Sequence, residues 1–161
     1  MVLNAQGKLQ NVKASVEKYV NDKLVVTEGF TVNYEGHPFE VASAEEWIDE
    51  TILGLGDFEY VRGVDSSSFG QLTNVILNFN IFVNKEKTLQ SNRHYVIRDI
   101  IFDYFKIGTT VNMYDFSEGN FVTVIQTLKV REVVTDSPLV EDNYFRYTLT
   151  FGLEWLQKWN R

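Results

Sequence analysis

Ser91 to Phe105 reads SNRHYVIRDIIFDYF and holds one of the chain's two histidines, two arginines and two aspartates. Such residue types could shuttle protons, and aspartates four apart on a helix lie close enough to act as a pair. Acid–base work also needs environments that drive the two protonation constants apart. At about 100° per residue, Ile97, Ile100, Ile101, Tyr104 and Phe105 share one arc, while Asn92, Asp99, Asp103 and Lys106 lie opposite. Asp99 and Asp103 therefore fall on a solvated side with ordinary carboxylate chemistry. His94 sits at the edge of the apolar arc, in the first turn, where a boundary histidine bonds backbone or water. The stretch reads as a scaffold helix.

The rest of the chain supplies no stronger chemistry. His37, the other histidine, lies in a turn far away in sequence, and there is no cysteine. A metal site would have to combine these two histidines with carboxylates at no recognisable spacing. Ser66-Ser67-Ser68 lacks a G-x-S-x-G elbow, and Gly54-Leu55-Gly56 lacks the third glycine of a dinucleotide fingerprint. No P-loop is present. The expectation is a protein with no catalytic residue, no cofactor and no metal.

Length and composition fit one globular domain spanning residues 1–161, with 44% hydrophobic and 14% aromatic residues. A formal net charge of −7 disfavours gripping a phosphate backbone, although it leaves DNA free to slide past without sticking. MVLNAQGKLQNVKASV lacks a basic segment followed by a long apolar one, so no signal peptide is expected. No apolar run approaches the roughly 20 residues that span a bilayer, so no membrane partner is expected.

The elements that must position these residues follow from periodicity. Leu9, Val12, Val16, Tyr19, Val20 and Leu24 mark an amphipathic N-terminal helix. Phe30 to Tyr34 reads as a short strand, and Glu35-Gly36-His37-Pro38 as a turn. Ser43 to Leu53 is ambiguous: Ser43 and Glu46 form a capping box, yet Trp47 to Leu53 also alternates like a strand. Phe58 to Val61 is strand-like, and Gly63 to Gly70 reads as a flexible loop. Asn74 to Asn84 is the clearest strand, with Val75, Leu77, Phe79, Ile81 and Val83 on one face. Thr110 to Tyr114 is a short strand. Phe121 to Val134 is a long one, with Val122, Val124, Leu128 and Val130 broadly on one face, before a turn at Asp136-Ser137-Pro138. Finally Phe145, Tyr147, Leu149, Phe151, Leu153 and Trp155 share a face. The pattern is α+β: a mostly antiparallel mixed sheet, an N-terminal helix and a second helix (about 91–106), both packed on one face.

Several residues fall outside this core scheme. Tyr95 and Phe102 project about 150° from the core stripe of the second helix, forming either a ridge for a partner subunit or a contact beneath a loop of the same chain. Trp155, Leu156 and Trp159 pose the same choice between core closure and docking. The Val61 to Thr73 segment, with Asp65, Ser66, Ser67, Ser68 and Phe69 at its centre, is expected to order against a neighbouring subunit or another partner.

In order of elements, the chain resembles the tail terminator (tail completion) proteins of long-tailed bacteriophages. The resemblance runs from the N-terminal helix almost to Trp159. It rests on the aromatic strand LNFNIFV, a short polar loop, HYVIRDIIFDYFKIG, a strand ending in MYDF, then LKVREVV and YFRYTLTFGLEWL. PFEVASAEEWIDETIL also looks like the family's segment leading into a strand through a Trp, which favours strand for the ambiguous stretch. The resemblance implies a ring-shaped homo-oligomer, usually a hexamer, that caps the head-proximal end of the tail tube. Such a ring ends tube polymerisation and joins the head. Its implied partners are further copies of itself, the tail tube protein and a head-completion or neck protein, with DNA passing through the lumen. Its implied location is the virion, after assembly in the host cytoplasm. Two other readings stand beside it. One is a different neck component, a head-closure or connector protein. The other is a small α+β enzyme or ligand-binding domain, with Tyr144, Arg146, Tyr147, His94 and Asp99 around a pocket.

Overall fold

The computed structural model describes the backbone of residues 2–40, 44–65, 67–88 and 90–160, and the side chains of these residues apart from 60–65. Its spine is a pair of antiparallel strands, β5 (Ser68–Asn84) and β8 (Tyr144–Asn160). They pair without a register break from Ser68↔Asn160 to Asn84↔Tyr144. Because side chains alternate across a strand, this register stacks Val75, Leu77, Phe79, Ile81 and Val83 beside Leu153, Phe151, Leu149 and Tyr147 on one face, all buried. Aromatic contacts knit the layer to the helices: Phe79 and Phe151 both meet Phe105, at ring-centroid distances of 5.1 and 5.4 Å.

The remaining strands add outward from this pair. β3 (Glu46–Leu55) and β4 (Glu59–Asp65) pair one after the other along the same side of β5, so they behave as one long strand interrupted at 56–58. β2 (Val32–Tyr34) joins β3 in parallel as a three-residue edge. On the other side β7 (Val124–Val140) pairs with β8, and β6 (Thr110–Tyr114) with β7. β1 (Val2–Leu3) lies against the end of β8. The order is β2-β3-β5-β8-β7-β6, and only β2–β3 is parallel.

Both helices cover one face, as the patterning requires. α1 (Leu9–Val20) runs directly into a π-helical extension, Asn21–Thr27, and buries Val12, Val16, Val20 and Leu24. α2 (Arg93–Phe105) buries Ile97, Ile101 and Phe105. The two are tied by a Tyr19–Phe105 edge contact at 5.3 Å and by the Tyr19 hydroxyl donating to the Tyr104 carbonyl at 2.9 Å. Ahead of α1, a 3-10 turn at Ala5–Gly7 is capped by Asn4, whose side chain accepts from the Gly7 amide. The Trp155 indole donates to the Gln6 carbonyl and the Gln157 amide to the Gly7 carbonyl, pinning the turn to β8.

Four readings from periodicity change. Ser43 to Leu53 resolves as strand from Glu46, because its alternation matches β5; Ser43 itself lies outside the described residues. The supposed Gly63–Gly70 loop is a hairpin, with Asp65 paired to Ser68 and the β5 arm laid along β8 of the same chain. The partner that orders the Ser68 to Thr73 part of that segment is thus β8. The turn expected at Asp136-Ser137-Pro138 is strand: β7 runs to Val140, and Pro138 is tolerated because β6 pairs β7 only as far as Lys129, leaving an open edge. Val122 and Val124 are exposed, as only Leu128 and Val130 of that set face the helices.

Gly7 is the tightest backbone contact in the N-terminal turn. A Cβ there would stand 1.9 Å from the Lys158 carbonyl oxygen. Gly7→Ala should therefore lower unfolding stability by about 2 kcal/mol or more, as overpacking against immovable backbone does. Urea denaturation of the two chains at one temperature measures it.

Candidate assembly surfaces

On α2 the acidic pair behaves as a wet face. Asp99 and Asp103 are largely exposed and make ion pairs with Arg98 (3.0 Å) and Lys106 (2.9 Å) respectively. His94 departs from its expected boundary role. It is 5% exposed, its ring stacks on Phe145 at 4.9 Å with 6° between planes, and its Nδ1 has no hydrogen-bond partner. Burial lowers its proton affinity below the usual histidine value, which favours a neutral, stacking ring. His37 sits in the turn after β2 with its ring edge-on to Tyr34. Among the described residues no three His, Asp or Glu side chains converge as metal ligands.

The pocket considered around Tyr144, Arg146, Tyr147, His94 and Asp99 does not form, because strand alternation splits it. Tyr147 faces α2, where its ring meets Tyr95 at 5.6 Å. Tyr144 and Arg146 face the other side, against Trp47 and Phe82. Other grooves lie on the surface. One of about 390 Å³ is lined by Asp57, Glu59, Leu72, Thr73, Asn74, Arg131 and Glu154. Its arginine is already committed to Glu154 in a two-pronged ion pair.

Tyr95 and Phe102 part company in the structure. Tyr95 is 45% exposed and stands free on one side. Phe102 is only partly exposed: it packs against the core, 6.2 Å from Phe151, beneath the Arg98 guanidinium at 4.2 Å. Arg98 also grips Asp136 through two nitrogens, and the Tyr147 hydroxyl donates to the same carboxylate at 2.5 Å. This network clamps α2 to the β7–β8 hairpin. Arg98 holds the Asp136 carboxyl below the usual carboxylate range, with Tyr147 helping.

Trp155, offered as a docking residue, is fully buried in the chain's own core and is unavailable to a partner. Trp159 is half-buried, paired with Leu3 and stacked on Phe69 at 6.4 Å. Ser68 is buried, Ser67 is exposed at the hairpin tip, and Asp65 closes the β4 ladder. Ser66 lies outside the described residues.

The face of the sheet turned away from the helices is a surface that periodicity left unassigned. At its centre Thr150 donates to Asn78 and Thr148 to Asn80, both at 2.8 Å, and Arg146 reaches Asn80 and Glu141. At one end Trp47 stacks on Phe82 at 4.8 Å and meets Tyr144 edge-on at 5.1 Å. Among the described residues no helix crosses this face. Its central hydroxyls and amides bond to one another, and Asn78 and Thr150 are themselves buried, so the polar ladder is internally satisfied. The even-numbered Asn and Thr positions of β5 and β8 were visible in the sequence, but their joining into one ladder depends on a pairing that periodicity does not report.

No family model matches the chain, and no curated protein matches it. Solved structures do. One, with no function in its name, aligns at TM-score 0.59 and 11% identity, over 91% of this chain and 95% of that one. Another comes from the virion of a native gene transfer agent particle, at TM-score 0.53 and 13% identity, over 90% of this chain and 94% of that one. At such identities the likeness is one of fold, and it confirms the α+β architecture along nearly the whole chain.

Replacing Phe102 with Ser should lower stability by about 1–3 kcal/mol, since a core-packed ring is lost. Tyr95→Ser should stay within about 1 kcal/mol. Thermal unfolding of each variant separates the two. For Asp136, a depressed carboxyl constant contributes stability that is present above the unfolded value of about 4 and lost as pH falls through the folded one. Asp136→Asn should flatten the acid limb of the stability profile, read from urea midpoints across that range.

Proposed function

We propose that this protein is a structural component of a tailed, phage-like particle. In this reading it forms a ring, most simply a hexamer, that caps the head-proximal end of the tail tube. It stops tube growth and presents the surface to which the head joins. The observation that carries the reading is the fold likeness to a virion chain over 90% of the present one. The order of elements that resembles the tail terminators supports the finer assignment.

The chemistry of the surfaces is in keeping with it. The candidate residues are stacked, paired or exposed to solvent, and they do not converge on a reacting centre. A net charge of −7 suits a ring through which DNA passes without being held. Tyr95, exposed beside the α2 clamp, the hairpin tip at Ser67, and the partly buried Phe69, Phe102 and Trp159 are candidates for subunit or tube contact.

Purified protein mixed with growing tail tubes tests the reading. Light scattering should give the mass of a six-subunit ring, alone or on tube ends, and electron microscopy should show capped tubes of limited length. Tubes that grow without limit, with the protein monomeric and unbound, would refute it. Rings that bind only isolated portals would move the protein to a connector role.

A further inference from the structure

One ionisable group is buried where strand alternation demands an apolar side chain. Ile48, Glu50 and Ile52 all face the helices from β3, and Glu50 is only 2% exposed. Across β5 its register partner is Phe79, which offers no polar group. Across β2 its partner is Tyr34, whose hydroxyl is buried and has no hydrogen-bond partner. Two polar groups thus sit side by side in the core margin without bonding to each other, although each loses solvation there.

The charges facing them are predominantly negative. From α1 come Glu17 and Lys13, with Lys13 already bonded to Glu17 at 2.6 Å. From the turn after β2 comes Glu35, and Asp22 of the π-helical extension acts on Tyr34. His37 lies edge-on to the Tyr34 ring. Asp49 points to the other face, where it accepts from Asn33 and Trp47. An ionised Glu50 would therefore meet one committed cation and two further carboxylates.

The strand that this cluster holds is a marginal edge strand. β2 has three residues, a parallel ladder and no strand beyond it. We propose that Glu50 and Tyr34 make β2 a proton-dependent latch, seated on β3 while Glu50 is protonated and loosened when it ionises. In the seated state the protonated Glu50 carboxyl is neutral, so no uncompensated charge is buried beside Tyr34. In the ionised state, outward movement of β2 with its turn admits water to the carboxylate and relieves repulsion from Glu17 and Glu35. Release also bares the edge of β3, a surface to which another strand could add.

Burial, reinforced by Glu17, pushes the Glu50 carboxyl up to about 7, and burial pushes the Tyr34 hydroxyl up to about 12. The carboxyl constant is raised on folding, so the folded state holds the extra proton. Stability is greatest below the unfolded value of about 4.3 and falls as pH climbs to about 7. Tyr34 stays neutral throughout that window, so Glu50 is the switch.

Amide hydrogen exchange at the β2–β3 ladder, read at Asn33, whose N–H turns toward β3 in this register, and at Ile48, whose N–H donates to the Thr31 carbonyl, tests the latch in the full chain after correction for intrinsic rates. Between about pH 5.5 and pH 8.5 the opening of these amides should increase on the order of tenfold or more, while amides of β5 and β8 change far less. Glu50→Gln should remove that local pH dependence. Glu17→Gln, which relieves the nearest repulsion and frees Lys13, should move the transition to lower pH by about half a unit or more. Superimposable profiles for the natural chain and Glu50→Gln would overturn the proposal, as would an equal change across the whole sheet.

Discussion

Everything in this molecule hangs on the seventeen-residue register between β5 and β8. A strand's side chains change face at every residue, so one step of slippage would send the whole apolar set of β5 into solvent. The register is anchored along its length. Phe79 and Phe151 on one face interlock with Phe105 of α2, while on the other the Asn78–Thr150 and Asn80–Thr148 bonds form only when those residues stand opposite each other. Apolar packing supplies the driving force, and the polar ladder makes neighbouring registers costly because buried amides and hydroxyls would lose their partners.

From that pair the two faces acquire opposite characters. The helix face is sealed by α1 and α2, and among the described residues Glu50 is the buried carboxylate beneath them. The other face is polar at its centre, where Asn78 and Thr150 are buried, aromatic at the Trp47 end, and free of helices among the described residues. Such a division suits a protein whose work is contact. A sheet face whose groups satisfy one another presents few unmet hydrogen-bonding groups to whatever lies against it.

The sheet's edges are managed unequally. β7 beyond Val130 has β8 on one side only, yet two register shifts and Pro138 disrupt the row of backbone groups it presents. Bulges and proline on an edge are the usual obstacles to unwanted strand addition. β3 is protected differently, by a short β2 whose seating depends on neighbouring side chains. One edge is blunted permanently, and the other is covered by a removable piece.

Local periodicity determined the amphipathic helices, the inward residues of β5 and β8, the solvated Asp99–Asp103 side and the α+β class, because each follows from side-chain spacing within one element. Other features required the partner to be known. Glu46 to Leu55 is a strand because β5 lies beside it, and Ser68 to Thr73 is strand because β8 continues past it. β7 passes through Pro138 because no strand needs that proline's missing donor. Trp155 was ambiguous in sequence, since an alternating face can close a core or meet a partner; the N-terminal turn seated over it decides for the core. Glu50 was readable as a charge at an inward position, once its segment was known to be a strand. Its lack of a partner was not, for that depends on Tyr34, Glu17, Lys13 and Glu35, which only tertiary packing brings to one place.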